Sequence, residues 1–157
     1  MKIIPYESYV RHCKKSSLEV KDLINSVCAS APLNTRVLKF DLEPKPLVGS
    51  ATEKTFFIYR NISYRNSFSP FAFGKICSED TGSFIKVSIR MHALIIAFLI
   101  LFETSLFSLL VALIFKSAPM GFIFMVFSIS FIGYMLIYFS FWIEAKKLKE
   151  ILETMFE

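Results

Sequence analysis

Apolar positions change their spacing three times along this chain. After Ser16 and Glu19, the residues Val20, Leu23, Ile24 and Val27 fall on one side of a 3.6-residue repeat, which predicts an amphipathic helix over about 17–28. Ser16 and Glu19 stand at the spacing of a capping box, where each side chain accepts a backbone N–H of the other residue. The helix is expected to stop ahead of Ala31-Pro32, because the residue before a proline is pushed out of helical backbone. The period then drops to two. Phe56, Ile58, Ile62 and Tyr64 share one face of 55–65; Ile85, Val87, Ile89 and Met91 share one face of 83–91, opposite Lys86, Ser88 and Arg90. Both stretches read as half-buried strands. Segments 47–52 and 70–78 are their expected neighbours, Glu79-Asp80-Thr81-Gly82 the expected hairpin turn, and 2–9 an expected edge strand.

Beyond Met91 the alternation gives way to runs with no polar face. Residues 93–115 read ALIIAFLILFETSLFSLLVALIF, with one ionisable side chain, and 121–142 read GFIFMVFSISFIGYMLIYFSFW, with none. At ~1.5 Å per residue each run crosses the ~30 Å of a bilayer's hydrocarbon. The linker KSAPM carries Pro119 and is followed by Gly121, so the economical reading is two antiparallel transmembrane helices joined by a tight turn. Buried helices of a soluble bundle would show a polar face. From about Ile143 the stripe of Leu148, Ile151, Leu152, Met155 and Phe156 marks a C-terminal amphipathic helix. No Gly or Pro follows Gly133, so the second span can continue into it without a break. Its apolar stripe needs cover, from the open face of the sheet or from the membrane surface.

The expected fold is therefore an α+β membrane protein in three parts. Residues 1–91 form a cytosolic antiparallel sheet with one N-terminal helix, 92–142 the transmembrane hairpin, and 143–157 a helix returning to the cytosolic domain or the membrane surface.

Composition supports this division. Of 157 residues, 54% are hydrophobic and 16% aromatic, with 18 Phe against 5 Gly and 6 Pro, which excludes disorder, collagen-like sequence and a disulfide scaffold. A single soluble core of this size could not hide so much apolar area. Charge sets the orientation. Lys86 and Arg90 precede the first span and Lys146, Lys147 and Lys149 follow the second, while the turn carries only Lys116, so both termini are expected in the cytoplasm of a two-pass inner-membrane protein. The N-terminal MKIIPYESYVRHCKK lacks the apolar core of a signal peptide. Cys13, Cys28 and Cys77 read as reduced cytosolic thiols.

Two groups of residues are candidates for function. Glu103 lies mid-span, where a carboxylate in hydrocarbon is costly unless protonated or paired. In an antiparallel hairpin it sits level with Gly133 and near Ser130 and Tyr134. On a helical projection, however, the small residues Ser105, Ser108 and Ala112 lie on the opposite face, and only one of these faces can meet the second span. Either Glu103 is hydrogen-bonded inside one hairpin, or small residues close the hairpin and Glu103 faces another subunit or a lumen. The second group is basic. Residues 1–91 hold 14 Lys and Arg against 8 Asp and Glu, and Arg60, Arg65, Lys75, Lys86 and Arg90 lie on or beside strands running toward the bilayer, where anionic lipid attracts cations. Phe and Tyr interleave with these charges, as in single-strand binders. Core packing and an interfacial belt of Tyr134, Tyr138 and Trp142 explain them better, so nucleic acid is not the expected partner. There is no phosphate-cradling glycine loop, H-E-x-x-H or G-x-S-x-G, and His12 beside Cys13 makes no telling spacing, so neither enzyme, metal nor cofactor is indicated.

The run Tyr64-Arg65-Asn66-Ser67-Phe68-Ser69-Pro70, followed by Gly74-Lys75-Ile76 and a strand entering a hydrophobic span, resembles a family of short bacterial membrane proteins with a Y-R-N-S-F-x-P-x-x-x-G signature. The resemblance covers roughly 44–105 and implies a bacterial membrane protein; it carries over no activity. The order of helix, sheet and late amphipathic helix is also similar to helix-grip and PH-like lipid-binding domains, from which the hairpin before the last helix departs. The expectation is a non-enzymatic protein presenting a small cytosolic domain at the inner membrane to anionic lipid or an unidentified protein partner. Its alternatives are a subunit of an oligomeric pore-like assembly, and an immunity-type protein against a membrane-acting toxin or effector.

Overall fold

Ser16 and Glu19 do close a capping box in the computed structural model of the chain, which describes residues 5–30, 45–64, 66–79 and 82–157. The Ser16 N–H donates to Glu19 Oε2 (2.7 Å) and the Glu19 N–H to Ser16 Oγ (3.4 Å); the Ser16 N–H, and after it the Ser16 hydroxyl donating to the same oxygen (2.9 Å), hold the Glu19 carboxyl below its usual pKa. Helix α1 (Ser17–Val27) follows and buries Val20 and Ile24.

Six strands make one sheet: β1 (Tyr6–Cys13), β2 (Cys28–Ser30), β3 (Leu47–Ala51), β4 (Thr55–Arg60), β5 (Phe71–Glu79) and β6 (Gly82–Arg90), in the order β1-β6-β5-β4-β3-β2. The sheet is mixed, which corrects the antiparallel expectation. β2 leaves α1 directly and runs parallel to β3, with Cys28 opposite Leu47. The expected strand over 55–65 is also shorter, ending at Arg60. Its neighbours stop there, since Leu47 opens β3 opposite Arg60 and Phe71 opens β5 opposite Tyr59, so Ile62 and Tyr64 have no strand to pair with. The edge strand starts at Tyr6 and pairs with β6 along its whole length. The expected start of that strand at Lys2 and the Ala31-Pro32 expected to end the helix, like Arg65 and the turn residues Asp80 and Thr81, lie outside the described residues.

The apolar runs form α2 (Ala93–Phe115) and α3 (Met120–Met155), both long and apolar enough to cross a membrane. His92 caps α2 by accepting the Leu94 N–H at Nδ1 (3.3 Å). At its other end Ser117 takes left-handed backbone (φ 51°), which lets the Ala118 N–H reach the Leu113 carbonyl (3.0 Å) before Pro119 opens α3. α3 is a single helix of 36 residues, about 54 Å long. That is nearly twice the thickness of a bilayer's hydrocarbon, so one helix contains both the second apolar run and the expected C-terminal amphipathic helix.

Its last third covers the sheet. Phe141, Ala145, Leu148, Leu152 and Phe156 are fully buried in one core with Val20 and Ile24 of α1 and the inward residues of the strands. Phe56 packs on Phe156 with ring centroids 5.7 Å apart, and the ring occupies the space a side chain at position 74 would need: a Cβ on Gly74 would lie 2.0 Å from it. Lys149 is tied to Glu7 at 2.7 Å and lies over the Tyr9 ring, while Arg11 meets Glu157 at 3.4 Å. These contacts run α3 alongside β1. Cys13 and Cys28 are buried and Cys77 is exposed; burial pushes the Cys28 thiol up to about 11.

Candidate functional site

The sheet's two faces are chemically unlike. Inward residues are apolar and covered, whereas the outward face of β4, β5 and β6 alternates aromatic rings with cations. Phe57, Tyr59, Phe71 and Phe73 form a cluster with neighbouring ring centroids 5.2–6.2 Å apart. Arg90 lies over two of these rings, 5.8 Å from Phe71 and 5.5 Å from Phe73, and His92 meets Phe71 edge-on. Further along, Lys75 stands directly opposite Lys86 across the β5–β6 pair, both exposed. Like charges at such a position repel. No acid comes within ion-pair distance of Lys75, Lys86 or Arg90 among the described residues.

The expected basic group is therefore divided. Lys75, Lys86 and Arg90 share the outward face. Arg60 turns inward, because residues 56, 58 and 60 all face the core side of β4, and its guanidinium meets Glu144 of α3.

Glu144 is the residue that periodicity did not single out. It is 1% exposed, and its carboxylate accepts from Arg60 at Oε2 and from the Tyr64 hydroxyl at Oε1, with Lys147 Nζ 3.6 Å from Oε1. That bond to the carboxylate holds the Tyr64 phenol above its ordinary pKa. Its contribution is present at neutral pH and is lost as pH rises through the raised value. The turn that follows Tyr64 fixes it there. Asn66 Oδ1 accepts the Phe68 N–H (3.0 Å) to make a tight turn, Asn66 Nδ2 donates to the Ser140 carbonyl (3.4 Å), and Phe68 packs on the core. Between this turn and α3 lies an open cleft of about 450 Å³, lined by Tyr64, Asn66, Ser67, Phe68, Ser140, Ile143 and Glu144. A sequence signal existed: Glu144 interrupts the apolar stripe Phe141, Ala145, Leu148 on the helix face that must be covered.

In the hairpin, Ser130 Oγ donates to Glu103 Oε2 at 2.5 Å, while Glu103 Oε1 is buried without a hydrogen-bond partner among the described residues. Glu103 thus faces α3, together with the partly buried Ile96, Leu99 and Leu110, and Ser105, Ser108 and Ala112 point outward. Ser105 and Ser108 return their hydroxyls to carbonyls one turn earlier in their own helix. Tyr134 stacks on Tyr138. Among the described residues no three of His, Cys, Asp and Glu gather to hold a metal. Comparison with models of protein families, with curated proteins and with solved structures finds no match to this chain.

Proposed function

We propose that this chain is a non-enzymatic binding module of the bacterial inner membrane. α2 and α3 cross the bilayer with both termini cytoplasmic, and the sheet's outward face meets an anionic partner. Support for the membrane comes from the two apolar helices, whose large side chains are widely exposed, Leu94 at 74%, Phe124 at 72% and Leu136 at 64% among them. The charge bias of the flanks supports the orientation.

The observation that carries the binding reading is the opposed Lys75–Lys86 couple, with no acid at ion-pair distance among the described residues, on the same face as Arg90 and its aromatic ring cluster. An acidic group brought between the two ammonium groups would turn a repulsion into an attraction. Geometry favours a protein over the bilayer as its source. Glu144 meets Arg60 at one end of β4 and Phe156 meets Phe56 at the other, so the strands lie along α3 and point away from the membrane. Lys86 is four residues, about 13 Å, farther out than Arg90, beyond the headgroups. The expected partner is an acidic segment of a cytosolic or membrane protein.

With the full chain in nanodiscs of zwitterionic lipid, a polyglutamate peptide is expected to bind in a salt-sensitive way. The pair Lys75→Glu/Lys86→Glu should weaken binding more than thirty-fold, since losing each cation near an anionic surface costs ~1 kcal/mol and the introduced carboxylates repel the peptide. Unchanged binding in the charge-reversed chain refutes the reading.

A further inference from the structure

We propose that the cleft between the Asn66 turn and α3 takes the phosphate of an anionic membrane lipid. The proposal rests on the reading of α2 and α3 as transmembrane helices, and concerns a different place from the outward sheet face. Depth is the first argument. The cleft is lined by Ser140, Ile143 and Glu144, where the apolar run 121–142 ends, and the rings of Tyr138 and Trp142 precede it as an interfacial belt does. It therefore opens at the level of lipid headgroups. Charge is the second. Glu144 is surrounded by two cations, Arg60 and Lys147, which leaves one positive charge in excess. Both carboxylate oxygens are already occupied, by Arg60 and by Tyr64, so the acid has little to offer a cationic ligand. Lys147 is half exposed and only loosely held at 3.6 Å, free to turn its ammonium toward a phosphate. Shape is the third. Ser67 presents an exposed hydroxyl, while Phe68 and the 54% exposed Ile143 offer apolar walls to glycerol and the first acyl carbons.

Trp142 is the single tryptophan of the chain and lies at the depth of the cleft, one helix position before Ile143, so its fluorescence reports on lipid bound around α3 at that level. The full-length chain is reconstituted in phosphatidylcholine bilayers containing a fixed fraction of brominated phosphatidylglycerol or brominated phosphatidylcholine. Quenching is expected to give an about five-fold preference for the anionic lipid. Lys147→Ala should abolish that preference, while Lys146→Ala and the Lys75→Ala/Lys86→Ala pair should retain it. Glycerol 3-phosphate added to the aqueous phase should not relieve the quenching; relief would assign the cleft to a free phosphate monoester and overturn the lipid assignment. An equal loss on Lys146→Ala would reduce the effect to diffuse surface charge and overturn it too. Equal quenching by both brominated lipids would overturn the inference while leaving the membrane reading intact. No quenching by either would overturn both.

Discussion

A chain ended at Lys147 is expected to lose its folded sheet domain, although the ten missing residues follow the hairpin and lie far in sequence from every strand. Those residues include Leu148, Leu152 and Phe156, each 0–1% exposed in the domain core. Burying a large apolar side chain contributes ~1.5–3 kcal/mol. Three of them together approach the whole net stability of a small domain, ~5–15 kcal/mol. Among the described residues α1 lies chiefly toward β2 and β3, which leaves α3 to cover the inward face opposite β6, and the ring of Phe56 would lose the Phe156 ring it rests on. In detergent micelles the full chain should resist brief trypsin treatment across 45–90 and melt cooperatively. The shortened chain should be cut rapidly at Lys54, Arg60, Lys75 and Lys86. Unchanged resistance would mean that α3 is not the sheet's second layer.

Glu144→Ala should be the most damaging single substitution near the end of the second apolar run, costing about 3 kcal/mol. Removing one partner of a buried ion pair costs ~3–5 kcal/mol because the remaining charge is left uncompensated, and the lower end applies because the Arg60 side chain keeps 24% of its exposure. For a domain of this size that corresponds to a fall in Tm of roughly 10 °C or more. Glu144→Gln, which keeps an acceptor for Tyr64 or Arg60, should fall less. Arg60→Ala/Glu144→Ala together should cost less than the sum of the two single changes, since neither charge is then left alone. Additive losses in that double-mutant cycle, measured by thermal unfolding in micelles, would show that the two side chains do not act as a pair.

Much of this architecture could be read directly from residue spacing. The capping box, the strand ending in Arg90 and the limits of α2 depend on neighbours within a few positions, and local sequence records them. What it did not record depends on partners distant along the chain. β2 has three residues, too few to show a period, and its parallel pairing with β3 is settled by tertiary packing. Alternation continued through Ile62 and Tyr64 after the neighbouring strands had ended, so periodicity overran the sheet. The letters of α2 left open whether the face with Glu103 or the face with Ser105, Ser108 and Ala112 meets α3; the Glu103 face does, and Ser130 on α3 donates to its carboxyl. The Glu144 cluster joins residues 80 and 84 positions apart: an acid within the apolar stripe of α3 marks Glu144 locally, but its partners Arg60 and Tyr64 are set by tertiary packing. The outward cations were legible as a basic bias, but the opposition of Lys75 to Lys86 appears only with the strand register.

α3 runs as one rod from the second apolar run into the core of the domain, so that in the proposed topology the sheet is held rigidly at the membrane. Hydrogen–deuterium exchange of the full chain in nanodiscs tests this most directly. Slow exchange is expected without interruption across 122–155, with 139–148 as protected as β5 and β6. A fast-exchanging stretch within 139–148 would contradict it, because the span and the sheet-covering segment would then be two helices joined by a hinge.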